Sequence, residues 1–275
     1  MNAPRLWLDG SLLPEARAPI SILDPAAQIG FGLFDVARGY GGVPFRLDRH
    51  VARMRRSARH FGLRIRWTDA AIGRAVREVL RANRLEDAYI RLVQTAGGSF
   101  MVRATPPPRV PAAWYRRGGA VAIAPWRRDP RAPLYGHKTL NYLENVRTLE
   151  RAHREGLADV LFLGLDGRVL EGCVTNVFLV KGGRLRTPVL EGILPGVTRA
   201  TVLEIARSEG IKASEGRVLP RDLERADEVF LTNAMIEVLP VSRVGSRRIG
   251  PPGPVTKRLM EGYGRLVAND TGGID

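Results

Sequence analysis

The spacing of apolar residues changes period several times along the chain, and each change marks an element. Leu6, Trp7 and Leu8 form a short run closed by the turn pair Asp9-Gly10, and Ile20 to Leu23 resume the pattern, which predicts a hairpin. Phe31 to Tyr40 and Val43 to Leu47 read as a second strand pair joined at Gly41-Gly42. From Leu47 the repeat lengthens. Leu47, Val51, Met54, Ala58 and Phe61 recur every three or four residues, the signature of an amphipathic helix over 47–61 that Gly62 ends. Ile72, Val76, Val79 and Leu80 mark another helix, and Ala88 to Thr95 reads as a strand.

Residues 104–118 contain Pro106-Pro107-Pro108 and Pro111, which neither a helix interior nor an inner strand tolerates. The expected organisation is therefore a small amino-terminal domain over 1–118, a linker over 119–130 and a larger carboxy-terminal domain over 131–275. Val121 to Ala124 is a strand, and Leu143, Val146, Leu149 and His153 give the stripe of a helix ending at Gly156. Val160 to Leu163, Arg168 to Val180 and Leu185 to Thr187 predict a meander with turns at Asp166-Gly167 and Gly182-Gly183. A helix opens after Pro195-Gly196, Val229 to Thr232 is a strand, and a last helix starts near Pro254. Strand pairs with interspersed helices, lacking a steady alternation, indicate α+β.

Composition narrows the classes. Hydrophobic residues are 44% and charged residues 26%, a globular balance. No stretch approaches the ~20 apolar residues of a membrane span, and the first residues lack a signal-like apolar run, so the expectation is a cytoplasmic protein without membrane partners. Cys173 is a single cysteine, which excludes an intrachain disulfide and a multi-cysteine metal site. Net charge is +15, which raises nucleic acid as a partner. That reading is set aside because the arginines are spread along the chain and aromatics, at 7%, are not interleaved with them. Anionic small molecules use such charge more economically.

Lysine is the rarer base: only Lys138, Lys181, Lys212 and Lys257 stand among 43 basic residues. Lys138 lies in Gly136-His-Lys-Thr-Leu-Asn-Tyr-Leu143, among apolar and amide neighbours. A nucleophilic amine must be unprotonated, and an ordinary lysine has a pKa of about 10.4, so such a role demands desolvation or a nearby cation. Read alone, Lys138 fits a lysine at a helix start with its head in water more readily. Glu171, before Gly172 on an expected strand, suits pairing with a protonated ring nitrogen, and reads in isolation as a strand-end carboxylate. Leu194-Pro-Gly-Val-Thr-Arg199 leads into a helix, and free amides with a hydroxyl at such a terminus bind phosphate. Proline and threonine also start helices that bind nothing. Arg53 offers a guanidinium fork to a phosphate, or is a surface arginine.

Together these segments resemble the fold-type IV, pyridoxal-phosphate-dependent enzymes: the branched-chain aminotransferase, D-amino-acid aminotransferase and aminodeoxychorismate lyase group. The likeness runs through Gly32-Leu-Phe-Asp35, the helix around His50 to Arg53, Tyr89-Ile-Arg91, Lys138 to Tyr142, Glu171-Gly-Cys-Val-Thr-Asn176, Ile193 to Arg199, Ala226 to Phe230 and beyond. It implies a two-domain enzyme, a homodimer, with pyridoxal 5′-phosphate between the domains and no metal. Lys138 would bind the cofactor covalently and shuttle the substrate proton, and Glu171 would keep the ring nitrogen protonated. Arg53, Val197 and Thr198 would hold the phosphate, helped by the turn Asn233-Ala234. Tyr142 would lie near the ring oxygen, and Arg38 would meet a substrate carboxylate. The implied activity is exchange of an amino group between an amino acid and a 2-oxo acid. The alternative is a lyase forming 4-aminobenzoate and pyruvate, towards which Asn233-Ala234 leans while Tyr142 leans to transamination. Loop residues Gly97 to Arg103 match neither group, with Arg103 a candidate anion contact.

Overall fold

The computed structural model describes residues 3–272. Contacts divide the chain into two units, one running through Pro108 with Lys138–Asn141 and the end from Val267, the other comprising Arg109–His137 and Tyr142–Leu266. Among the described residues helices and strands are mixed throughout, as expected for α+β.

In the first unit the elements are β1 (Arg5–Leu8), β2 (Ser11–Pro14), α1 (Pro25–Ile29), β3 (Gly32–Tyr40), β4 (Val43–Pro44), α2 (Leu47–His60), α3 (Asp69–Asn83), β5 (Ala88–Thr95) and β6 (Phe100–Thr105). The strands form an antiparallel sheet in the order β2-β1-β6-β5-β3-β4. Alternation along β5 puts Ala88, Ile90 and Leu92 on one buried face, and the apolar stripes of α2 and α3 cover it with Val51, Met54, Ile72, Val76 and Val79. At Gly41-Gly42 both φ angles are positive, 54° and 77°, the tight hairpin geometry that glycine allows.

Ile20 to Leu23 departs from its expectation. Asp9-Gly10 turns the chain straight into β2, so the partner of β1 is Ser11–Pro14, and Ile20, Ile22 and Leu23 are exposed in a connection instead. Asp24 then caps α1 through Ala26 N–H at 2.8 Å and accepts from Thr95 Oγ1 at 2.6 Å. Val43 to Leu47 likewise shortens to β4, because α2 has begun by Leu47.

The second unit holds α4 (Ala112–Arg117), β7 (Gly119–Arg128), α5 (Leu143–Arg154), β8 (Asp159–Gly164), β9 (Val169–Gly172), β10 (Asn176–Lys181), β11 (Arg184–Pro188), α6 (Val197–Ser208), β12 (Ala213–Gly216), α7 (Pro220–Glu224), β13 (Glu228–Asn233), β14 (Glu237–Val244), β15 (Arg247–Arg248) and α8 (Pro254–Thr271). Sheet order is β12-β11-β10-β13-β14-β7-β8-β9, with β15 on β14. The parallel pairs β7–β8 and β11–β12 are each joined through a helix, α5 and α6, as parallel strands require. Every residue of β8 is buried, hence its nearly unbroken apolar run. Glu228 on β13 accepts from Val255 and Thr256 N–H at 3.1 and 2.7 Å, placing a carboxylate at the start of α8.

Residues 119–130 are not a linker. Gly119–Arg128 is β7, paired on both sides, because the prolines that precede it end before Ala112 and leave an apolar run free to enter the sheet. The expected strand over 168–180 is also two strands, β9 and β10, parted by a turn at 173–175. On α5, Leu143 and Val146 are exposed and the helix docks through Leu149 and Ala152.

Candidate active site

Lys138 follows Gly136, whose φ is 83°, and its backbone runs beside β3: Phe34 N–H donates to Lys138 O at 2.9 Å, and Leu140 N–H donates to Gly32 O at 2.9 Å. That pairing fixes the residue without any helix, so Lys138 is not at a helix start. Its Nζ lies 4.6 Å from the centroid of the Phe34 ring.

In the same unit α2 carries His50 and Arg53 one turn apart, and both face Asp35 on β3. Arg53 Nε and Nη2 donate to Asp35 Oδ2 and Oδ1 at 2.9 and 2.7 Å, and His50 Nδ1 stands 2.7 Å from Oδ1. All three are buried. Burial favours the neutral acid at Asp35, but the Arg53 charge and the His50 bond outweigh it and hold the carboxyl well below the usual range. Burial pushes His50 below its ordinary value against the pull of Asp35, with Arg53 and Lys138 adding to the fall. A neutral ring with its proton on Nδ1, donating to Asp35, satisfies that geometry. Arg38 sits half-buried with its guanidinium 4.7 Å from the Tyr40 ring centroid. Arg103, a candidate anion contact in the sequence, directs its fork at Glu15 with bonds of 2.9 and 3.0 Å.

The second unit gathers the remaining residues around the turn at 173–175. Glu171 Oε2 accepts from Leu194 N–H at 3.0 Å and stands 3.4 Å from Asn176 Nδ2, which also donates to Leu194 O at 3.0 Å. The carboxylate is thereby tied to the segment that opens α6. Gly196 is the N-cap of that helix with no side chain capping it, and Thr198 is buried in the first turn. A Cβ on Gly196 would collide with Asn176 Oδ1, so glycine is needed for this approach.

Tyr142 O–H donates to Cys173 O at 3.1 Å, and Asn145 Nδ2 donates to the same oxygen at 2.6 Å. Burial, then the Glu171 and Asp159 charges, push the phenol well above its usual value, so it remains a donor in neutral solution. Asn233 Nδ2 donates to Val174 O at 3.2 Å, while its Oδ1 accepts from Met235 and Ile236 N–H at 2.7 and 2.9 Å. An asparagine that closes its own turn is sufficiently explained by the fold, which removes much of the weight that Asn233-Ala234 lent to the lyase. Asp35 and His50 fall in segments that carry the resemblance but had no role assigned from the sequence, and Asn145 and Asp159 were not noticed there. For the two acids the signal was a carboxylate inside an apolar run, in Leu33-Phe-Asp-Val36 and Ala158-Asp-Val-Leu-Phe162.

One unit holds an amine on a strand edge, and the other holds a carboxylate fixed by a backbone N–H and an uncapped helix start with a buried hydroxyl; these are groups whose chemistry suits a phosphorylated, nitrogen-ring cofactor. A model of the family described as Amino-transferase class IV matches residues 32–244, and the chain belongs to that family. It is 31% identical over 291 residues to the branched-chain-amino-acid aminotransferase of Pseudomonas aeruginosa, covering 97% of this chain and 94% of that one. To the D-alanine aminotransferase of Bacillus licheniformis it is 29% identical over 282 residues, covering 97% and 98%. The solved branched-chain aminotransferase of Thermoproteus uzoniensis aligns at a TM-score of 0.89 and 33% identity, over 98% of this chain and 96% of that one. A further solved branched-chain amino acid aminotransferase, carrying pyridoxamine 5′-phosphate, aligns at the same TM-score of 0.89 with 29% identity, over 98% of this chain and 95% of that one. The protein is an aminotransferase of fold type IV, and its cofactor is pyridoxal phosphate. The donor set described above fits that group: an amine for its aldehyde, a carboxylate for its ring nitrogen and helix amides for its phosphate.

Proposed function

We propose that the protein exchanges amino groups between an amino acid of aliphatic side chain and the matching 2-oxo acids, with Lys138 as its catalytic residue. Bound pyridoxal phosphate supplies the electron sink for the pair left when the substrate α C–H bond breaks. Lys138 binds the cofactor and then moves the proton at the substrate α-carbon. Glu171 keeps the ring nitrogen protonated. Val197 and Thr198 hold the phosphate through amides and hydroxyl, with Arg53 and the Asn233-Ala234 turn beside it. Tyr142 lies near the ring oxygen, and Arg38 meets the substrate carboxylate.

The observation that carries this reading is the link from Glu171 Oε2 to Leu194 N–H at 3.0 Å, which joins the ring-nitrogen carboxylate to the entry of the phosphate-binding helix. The aliphatic preference is supported by the names of both relatives, one acting on branched-chain amino acids and one on D-alanine. A homodimer in the cytoplasm completes the reading. Support for the dimer is the exposed apolar residues Ile20, Ile22, Leu23 and Ile29, whose exposures run from 53% to 76% and which a second copy would cover.

The test is spectroscopic. Protein loaded with pyridoxal phosphate should absorb in the visible, and Lys138→Ala should lose that band. Protein that gains no visible absorbance with added cofactor would refute the assignment. A panel of aliphatic amino acids, both enantiomers included, should convert the band towards the pyridoxamine form for one hand. Release of pyruvate from aminodeoxychorismate, with no response to any amino acid, would replace transamination by the lyase.

A further inference from the structure

Asp159 heads β8 with its side chain fully buried, and the chemistry above makes no use of it. Its carboxylate accepts from Thr175 Oγ1 at 2.7 Å, Cys173 N–H at 2.9 Å, Val174 N–H at 3.4 Å and Val160 N–H at 2.7 Å. Three of these donors belong to the turn that parts β9 from β10. Glu171 lies two residues before that turn, and Asn176, its amide neighbour, directly follows it. Tyr142 and Asn145 hold the same turn from its other side through Cys173 O, and Asn233 holds it through Val174 O. A Cβ on Gly172 would overlap both Thr175 Oγ1 and the Asp159 carboxylate, so the acid occupies the space that a side chain there would need.

We propose that Asp159 is a positioning residue for Glu171: it clamps the 173–175 turn and so sets where the end of β9 presents its carboxylate. The proposal rests on the reading of Glu171 as the ring-nitrogen partner. Burial pushes the Asp159 carboxyl above its ordinary value, against the pull of the Thr175, Val160 and Cys173 bonds; what suits the group to the task is its geometry, two oxygens that accept several donors at once. An asparagine would turn a donor towards Val174 N–H and the Thr175 hydroxyl. A clamp of this sort acts through geometry, and a misplacement of about 1 Å at a reacting group costs up to ~100-fold in rate.

The test compares Thr175→Val, which removes one donor at similar shape, with Thr175→Ser, which keeps it, and adds Asp159→Asn. Each is made in the parent and in Glu171→Gln, all loaded with pyridoxal phosphate. The readouts are the absorption band of the bound cofactor, and kcat and KM for the amino-acid half-reaction. Thr175→Val should lower kcat about tenfold with KM nearly unchanged and move the band in the direction seen for Glu171→Gln, while Thr175→Ser returns both to about the parental values. In the Glu171→Gln background Thr175→Val should add nothing further, since both changes act on one group. Parental kcat and band in Thr175→Val, or the same loss in both backgrounds, would overturn the proposal. Parental behaviour of Glu171→Gln itself would overturn the ring-nitrogen reading, and the proposal with it. Should Asp159→Asn fail to fold, the Thr175 pair carries the test.

Discussion

Replacing Asp35 by asparagine takes a carboxylate away from the buried Arg53, and the cost can be worked from the geometry. Arg53 is only 5% exposed and Asp35 fully buried, so water cannot take over. Two guanidinium bonds, 2.9 and 2.7 Å long, reach the two carboxylate oxygens. Removing one partner of a buried pair costs about 3–5 kcal/mol. Asparagine retains one acceptor, which favours the lower end, ~3 kcal/mol. At roughly 2–4 °C per kcal/mol for a chain of this size, the melting temperature should fall by about 6–12 °C. Thermal unfolding followed by circular dichroism, on parent and Asp35→Asn without added cofactor, measures it. A fall of under about 2 °C would refute the argument, because it would mean that Arg53 finds equal compensation elsewhere. The pH dependence has a definite sign. Asp35 is held ionised below the ordinary carboxylate range, so its contribution is present above about pH 4 and is lost as the pH falls towards the depressed folded value. The gap between parent and variant should therefore widen somewhat as the pH falls from about 7 to about 5, because His50 loses the upward pull of Asp35 in the variant, and should begin to narrow below about pH 4 as Asp35 takes up its proton.

Three further outcomes follow from the same contacts. Tyr142→Phe should cost only about 1 kcal/mol in urea unfolding, since Asn145 still serves Cys173 O; a loss above about 3 kcal/mol would give the phenol a larger structural part. Gly196→Ala must displace Asn176, costing about 1–3 kcal/mol of overpacking, and should speed release of pyridoxal phosphate on dialysis; unchanged retention would detach the α6 entry from the cofactor. Ile22→Asp with Leu23→Asp should halve the mass seen in sedimentation, and an unchanged mass would place the subunit contact elsewhere.

Element type was largely legible because it depends on local period. The stripe Leu47, Val51, Met54 and Ala58 supplies the inward face of α2, and the Gly182-Gly183 pair has the positive φ values of a tight turn, 54° and 70°. What failed was pairing. Ile20 to Leu23 has strand-like residues, yet a turn at Asp9-Gly10 leaves room for Ser11–Pro14 to reach β1 first, and propensity does not register that competition. The 168–180 segment failed for another long-range reason. Strand-favouring residues flank Glu171-Gly172 and Asn176 on both sides, and the break at 173–175 is held by a carboxylate at residue 159, whose distance in sequence hides it.

The candidate site follows the same division. Lys138, Glu171 and the start of α6 stand out by local chemistry, a lone amine, an acid before glycine and a proline-glycine entry. The groups that fix them are long-range acceptors and donors: Asp35 for Arg53, Asp159 for the 173–175 turn, Leu194 for Glu171. None has a local motif, because a buried carboxylate is made useful by whatever the fold brings to it, and a backbone N–H belongs to nearly every residue. One rule does survive. A charged residue inside a run that is otherwise apolar must find partners when the strand is buried, and both Asp35 and Asp159 meet that condition. Reading such runs for the odd acid would have marked both supports from the sequence, without indicating which functional group each one holds.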